Sequence, residues 1–374
     1  MTTVRLLVGT TKGLFVYSSD EQRRLWRCEG PQLAEWEIYS ALGDPKGEGV
    51  LAGASHAAYG PSVRKSDDGG ATWTQIADGP RYPTETGFKF NRVWQLIPGH
   101  SSEPDTVFAG VEEAGLFVSR DRGATWSELD GLTSHPTRPG WFPGAGGMCL
   151  HTILIDPQDP RRMWVGISAA GVFRSEDGGE TWTPRNVGLA RVPTGQPYPD
   201  VGYCVHKMVL DPQDSNTLYM QEHGGVLRST DGADSWEPIE DGLPSGRFSH
   251  NPDYSGPFGF PMAMSHNGDL FIAPLESSEQ RTMAEGKLLI HRMERGADAW
   301  APIGDASPED PRYVGVLRDA LAVDGLEQYG AYFGTTSGEL YCSLDRGVTW
   351  DRLPGQLSRI LAVKPWVVGA NGAA

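Results

Sequence analysis

Two histidines, His151 and His206, each stand five residues ahead of the same turn, Asp156-Pro157-Gln158-Asp159 in one case and Asp211-Pro212-Gln213-Asp214 in the other. Aligning equivalent segments on that turn puts Tyr39, Asp319 and Arg359 at the same level, with Val93 and Phe260 in the two remaining segments. A core would favour apolar groups there, because burying unpartnered polar groups is costly. The pattern therefore predicts a polar mouth. Short turns further along the segments add His56, Glu112, Glu113, Glu222, His223 and Glu276. Imidazoles and carboxylates gathered at one opening suit acid–base chemistry or a divalent metal. No pair has a local ligand spacing of the His-x-x-x-His kind, so neither the metal nor its identity is fixed by the sequence. The candidate catalytic residues are His151, His206, Glu112 and Glu222. The candidate ligand-binding residues are His56, Tyr39, Arg92, His223, Asp319, Arg359 and Trp141.

A repeat must bring these distant residues together. Its template is Ser-x-Asp-x-Gly-x-Thr-Trp, as in Ser66-Asp67-Asp68-Gly69-Gly70-Ala71-Thr72-Trp73. Copies close at Trp73, Trp126, Trp182, Trp236 and Trp350, and eroded ones at Trp26 and Trp300. A period of this size means a propeller, a solenoid or a related array. The Asp side chain can accept backbone N–H bonds inside its own turn, and the Trp brings a large ring to bury between sheets. These five intact-copy tryptophans are expected to be largely buried. The loops are too short, and lack the terminal bidentate Glu, for calcium binding of the EF-hand type.

The pattern resembles the Asp-box, or BNR repeat, of sialidases, sortilin-type receptors, some xyloglucan hydrolases and photosystem II assembly propellers. The resemblance implies a β-propeller in which the box is a structural turn at the blade periphery, away from the active face. It says little about function, because the family is mixed. Sialidases carry an Arg-Ile-Pro-like motif near the N-terminus; here Arg5 is followed by Leu6-Leu7, which disfavours sialic-acid hydrolysis.

Four short strands joined by tight turns fit each repeat, as a propeller blade requires. The expected architecture is all-β, a seven-bladed β-propeller forming one domain over residues 1–374. The chain opens in a second strand, Arg5 to Gly9. The missing first strand is expected at Leu357 to Val363, closing the ring and removing its exposed edges.

The blade-to-blade stretches are long and carry arginines and aromatics. Asp78 to Phe90 has Arg81, Tyr82 and Lys89; Gly131 to Met148 has His135, Arg138, Trp141 and Phe142. Asn186 to Tyr203 has Arg191, Tyr198 and Tyr203; Asp241 to Phe258 has Arg247, His250 and Tyr254. Loops this long in a compact domain are commonly functional. The expected function is thus a ligand-binding propeller, its site at the channel mouth opposite the Asp-boxes. The ligand would be a small molecule or carbohydrate, or a protein docked on the loop-rich face. Two enzymatic readings stand beside it: a glycoside hydrolase with opposed carboxylates such as Glu112 and Glu222, and a metal-dependent lyase or hydrolase built on the histidines.

The formal net charge of −16 argues against nucleic acid or an anionic membrane as partner. No apolar run reaches membrane-spanning length, and no secretory leader is expected at the N-terminus. Four scattered cysteines do not make a disulfide scaffold. A cytoplasmic location is the expectation.

Overall fold

The computed structural model describes residues 2–44, 47–189, 199–244 and 256–369 of the chain, and the fold within them is all-β. The strand Glu37–Gly43 pairs antiparallel with Val50–His56, that strand with Gly60–Ser66, and that one with Thr74–Gln75. The same four-strand order recurs from the opening strands Arg92–Pro98, Cys149–Ile155, Val205–Asp211, Phe258–Met264 and Val316–Val323. The strand Ile360–Val368 pairs antiparallel with Thr3–Thr10, with Val8 opposite Val363 and Gly9 opposite Ala362. Gly13–Asp20 and Arg27–Gln32 complete that sheet. The C-terminal strand thus begins three residues later than the sequence suggests and runs on to Val368, where alternating Trp366 and Val368 still have a face to bury on.

The opening strands touch one another in turn, from Glu37–Gly43 through to Ile360–Val368, which in turn touches Glu37–Gly43. Core side chains sit between successive sheets. Leu150, Val165, Ile167 and Phe173 pack with Trp182, for example, and Trp164, Val205, Met208 and Met220 with Trp236. Burying a large aromatic or aliphatic side chain this way is worth about 1.5–3 kcal/mol.

The repeated Ser-x-Asp-x-Gly turns share one hydrogen-bond plan. Asp68 accepts from Thr72 N at 2.8 Å and Thr72 Oγ1 at 2.7 Å, while Ser66 Oγ accepts from Gly70 N at 2.8 Å. The turns holding Asp121, Asp177, Asp231 and Asp345 do the same. The Asp68 carboxyl is held down at about 2, chiefly by the Thr72 hydroxyl.

The tryptophans divide. Trp182 and Trp236 are buried, but Trp73, Trp126 and Trp350 are only partly so. The neighbouring stretches explain the buried pair. The Gly131–His135 stretch lies over Trp182, with His135 Nε2 3.1 Å from Trp182 O, and Gly188 lies against Trp236.

Candidate functional site

A break in pairing register recurs near the start of the opening strands, and it sets the site. The register slips between Ile38 and Ser40, Val93 and Gln95, Leu150 and Thr152, and Val205 and Lys207. Each slip is a β-bulge that leaves one residue unopposed and re-aims its side chain. The bulged residues are Tyr39, Trp94, His151 and His206. Longer irregularities hold Phe260 and Asp319. Two of the sequence alignments shift accordingly. Trp94, not Val93, takes this level in its strand. In the last strand the slip falls at Leu361, while Arg359 precedes the strand and is exposed. Its charge nevertheless reaches the Tyr39 hydroxyl.

The two histidines are sealed rather than open. His151 is fully buried; its Nε2 lies 2.8 Å from Val205 O and 3.1 Å from Ser168 Oγ, and its Nδ1 lies 3.1 Å from Thr152 Oγ1. Both nitrogens are thereby engaged within the protein. His206 gives Nδ1 to Gly259 O at 2.6 Å and packs against Phe258, Phe260 and His223. Burial, then the Arg318 charge, pushes both rings well below the usual histidine range, so both are neutral at pH 7.

Arg318 lies beside His206, and its charge reaches both rings. Its guanidinium lies 5.3 Å from the Trp94 ring centre and 6.0 Å from that of Phe260, and its Nε donates to His206 O at 2.6 Å. Beside it Asp319 holds two ammonium groups, Lys207 Nζ at 2.8 Å and Lys364 Nζ at 2.9 Å. Burial acts on both sides of this trio. It raises the Asp319 carboxyl, but the two lysines outweigh it and hold the group near about 2. For Lys207 burial prevails and lowers the ammonium to about 8. A single carboxylate serves two cations, so the carboxylate is over-compensated, while the buried Lys207 gains too little from it to offset its own desolvation.

The open space lies to one side. A cleft of about 500 Å³ is bounded by Thr11, Lys12, Glu35, Glu37, Ser55, His56, Asn91 and Arg92. Arg92 forms its inner wall and stands between two carboxylates, Glu112 Oε2 at 3.0 Å from Nη1 and Glu37 Oε2 at 3.9 Å from Nη2. Glu112 also accepts from Trp94 Nε1 at 3.2 Å. The rings of Tyr39 and Trp94 meet edge to face with centres 4.8 Å apart, and the Arg92 guanidinium lies over both, 4.4 Å from the Tyr39 centre and 5.4 Å from that of Trp94. His56, on the cleft wall, touches the rings of Trp36 and Tyr59, which stack on each other, and Arg64 lies over the Trp36 ring. Two buried polar atoms of the wall, Ser55 Oγ and Arg92 Nε, have no hydrogen-bond partner among the described residues.

Of the remaining candidates, His56 borders this cleft, its Nδ1 accepting from Ala58 N at 3.0 Å. Glu222 borders a different, smaller hollow of about 100 Å³ with Glu240, and accepts from Gly224 N at 2.6 Å. The structure therefore does not oppose Glu112 and Glu222: Glu112 lies behind Arg92 at the cleft, and Glu222 borders the other hollow. Trp141 is buried against Phe173, its Nε1 donating to Thr137 Oγ1, so it packs the core under the loop. Arg191, Tyr198, Arg247, His250 and Tyr254 lie outside the described residues. Trp94, Arg318, Glu37 and Lys207 are the site residues the alignment did not select. Each is nevertheless a sequence neighbour of an aligned residue or strand start, Trp94 of Val93, Arg318 of Asp319, Lys207 of His206 and Glu37 of Trp36.

No family model matches the chain. A probable oligoxyloglucan-reducing end-specific xyloglucanase from Neosartorya fischeri is 25% identical over 275 residues, covering 65% of this chain and 31% of that protein. A xyloglucanase from a Paenibacillus species is 24% identical over 290 residues, covering 67% of this chain and 25% of that one. The chain thus spans less than a third of the length of these curated relatives. Among solved structures, an ancestral GH74 enzyme superposes with a TM-score of 0.55 at 16% identity, over 88% of this chain and 38% of the other. YCF48 from Cyanidioschyzon merolae superposes with a TM-score of 0.50 at 17% identity, over 86% and 85%. The similar curated proteins are xyloglucanases, and the similar solved structures, a GH74 enzyme and YCF48, establish the fold alone: all-β, of the β-propeller kind.

Proposed function

We propose that the chain is a carbohydrate-active β-propeller which takes a glucan-type oligosaccharide in the cleft between Glu37, His56 and Arg92. The frame of this reading is a seven-bladed ring closed by Ile360–Val368 against Thr3–Thr10, with Asp-box turns on its periphery. The single observation that carries it is the composition of the cleft wall. Ser55 Oγ and Arg92 Nε are buried there with no hydrogen-bond partner among the described residues, and His56 on the same wall touches the exposed Tyr59 ring and the partly buried Trp36 ring. Buried polar groups are ordinarily hydrogen-bonded, and a sugar offers hydroxyls to the polar atoms and an apolar ring face to the aromatics. The xyloglucanase relatives favour the same substrate class.

The chemistry proposed is glycoside hydrolysis by Glu37 and Glu112. Both sit on the terminal nitrogens of one guanidinium. That limits their separation to about 9 Å or less, within the span that glycosidase carboxylate pairs use. Glu112, accepting hydrogen bonds from Arg92 and Trp94, suits the carboxylate role. Glu37, 40% exposed and only loosely tied to Arg92, suits the acid that protonates the leaving oxygen. Arg92 keeps the two apart and orients both.

A second reading rests on the cationic mouth, where Arg318, Lys207 and Lys364 cluster in a chain of net charge −16. It holds that an anionic ligand docks without being cleaved. Calorimetric titration with xyloglucan oligosaccharides and, separately, an acidic peptide distinguishes the two. Sugar binding that is weakened by Arg92→Ala and Tyr59→Ala supports the first reading. Peptide binding alone, insensitive to Tyr59→Ala, overturns it.

A further inference from the structure

Cys204, His206 and His223 come together at the end of the sheet that opens with Val205–Asp211. His223 N donates to Cys204 O at 3.0 Å, which extends the ladder beyond Val205 and Glu222 and sets Cys204 across from His223. The bulge at His206 turns its ring toward that pair, and the two imidazoles meet edge to face with centres 5.5 Å apart. One donor atom from each of the three side chains lies within 4.8 Å of the other two.

The orientation of His206 is fixed by its other nitrogen. A carbonyl oxygen only accepts, so the 2.6 Å bond to Gly259 O places the proton on Nδ1 and leaves Nε2 with its lone pair. Ligating histidines typically have this arrangement, in which the second nitrogen donates to a backbone carbonyl and sets the tautomer. The Phe258 and Phe260 rings pack around the imidazole and exclude solvent from its back.

We propose that Cys204, His206 and His223 form a binding site for a borderline-soft divalent cation, Zn²⁺ above all. The donor set decides the class of ion. One sulfur and two imidazole nitrogens suit zinc or copper and not magnesium or calcium, which take oxygen ligands. Zn–N bonds of about 2.0–2.1 Å and a Zn–S bond of about 2.3 Å put tetrahedral donor atoms about 3.4–3.6 Å apart. The three donors, within 4.8 Å of one another, must therefore close by up to about 1.4 Å, which rotation of His223, half-buried on its turn, can supply. Three protein ligands leave a fourth position for solvent or ligand, the pattern of catalytic rather than structural zinc. Arg318 and Arg281 act electrostatically on the same side chains. Their positive charge selects an anion, a carboxylate or phosphate group, for that fourth position. The site is separate from the Glu37–Arg92 cleft and does not depend on the carbohydrate reading.

The test uses the full chain, stripped with chelator and titrated with Zn²⁺ and, in parallel, Co²⁺. The expected result is one equivalent bound with submicromolar affinity, a rise in Tm, and a thiolate-to-cobalt charge-transfer band. Cys204→Ser should abolish the band, and His223→Gln should weaken Zn²⁺ binding at least tenfold while the metal-free Tm stays within a few degrees of the parent. His223 is on a turn and only half-buried, so its variant tests the site even if Cys204→Ser folds poorly. Absence of stoichiometric Zn²⁺ binding overturns the proposal, as does binding that survives both substitutions unchanged.

Discussion

Replacing Asp319 by alanine tests the physics of the channel most sharply. The carboxylate is 5% exposed and holds Lys207 and Lys364 at 2.8 and 2.9 Å. Removing it strands two ammonium groups among Arg318, His206 and the neighbouring strands. Breaking a buried ion pair by deleting one partner costs about 3–5 kcal/mol, most of it the uncompensated charge left behind. Urea denaturation at pH 7 should show a loss of that size. The pH dependence gives a second check. In the parent, Asp319 titrates near about 2 folded against 3.8 unfolded. Its contribution, about 2 kcal/mol, is therefore complete above the unfolded value and fades as pH falls toward the folded one. Lys207 titrates at about 8 folded against 10.5 unfolded, so between those values the unfolded chain binds the extra proton and stability rises with pH. In Asp319→Ala the neutral form of Lys207 becomes the better one, so the deficit should narrow as pH rises from 7 to 10. Substituting all three residues with apolar side chains of similar volume should restore most of the stability. A deficit below about 1 kcal/mol at pH 7, or one that widens with pH, would refute the reasoning.

Other outcomes follow from the same structure. Trp182→Ala should cost about 3–5 kcal/mol, typical of truncating a buried large aromatic, and leave oligosaccharide affinity unchanged; titration calorimetry on the folded fraction checks both. Tyr59 is 78% exposed, so Tyr59→Ala should leave Tm unchanged while removing a stacking surface worth about 0.5–1.5 kcal/mol, a twofold to tenfold loss of sugar affinity. Glu37→Gln and Glu112→Gln should each lower turnover of a cleaved oligosaccharide by about 10²–10⁴-fold without a matching fall in binding. Truncation before Gln356 removes the strand paired with Thr3–Thr10 and leaves a bare sheet edge; the shortened chain should be recovered aggregated, as size-exclusion chromatography would show.

The repeat made the sheets and their order readable, because the Ser-x-Asp-x-Gly turn and the alternating apolar strands are local signals. The site was readable only in part. The aligned position coincides with the bulged residue at Tyr39, His151 and His206, while Asp319 lies within a longer irregularity. Bulges then displaced that level at Trp94 and Leu361, and an inserted residue leaves no mark in apolar alternation this short. The fate of the histidines was also hidden. Whether a ring nitrogen faces a cavity or a carbonyl depends on a neighbouring strand, as Gly259 O and Val205 O show. Glu37 and Arg92 meet across two sheets far apart in sequence, and Arg318 reaches Trp94 from a more distant sheet still. Such contacts between distant residues follow from how the sheets pack on one another, which no single segment encodes.

The central claim, that the cleft beside Arg92 cleaves a glucan-type oligosaccharide, is tested most directly by product analysis. Xyloglucan oligosaccharides would be incubated with the purified parent, Glu37→Gln and Glu112→Gln, and the products read by mass spectrometry and by proton NMR of the new anomer. The account predicts defined shorter fragments with the parent, their near-complete loss with either variant, and retained oligosaccharide binding in both. Fragments produced equally by all three proteins, or intact oligosaccharide that neither binds nor shortens with the parent, would contradict it.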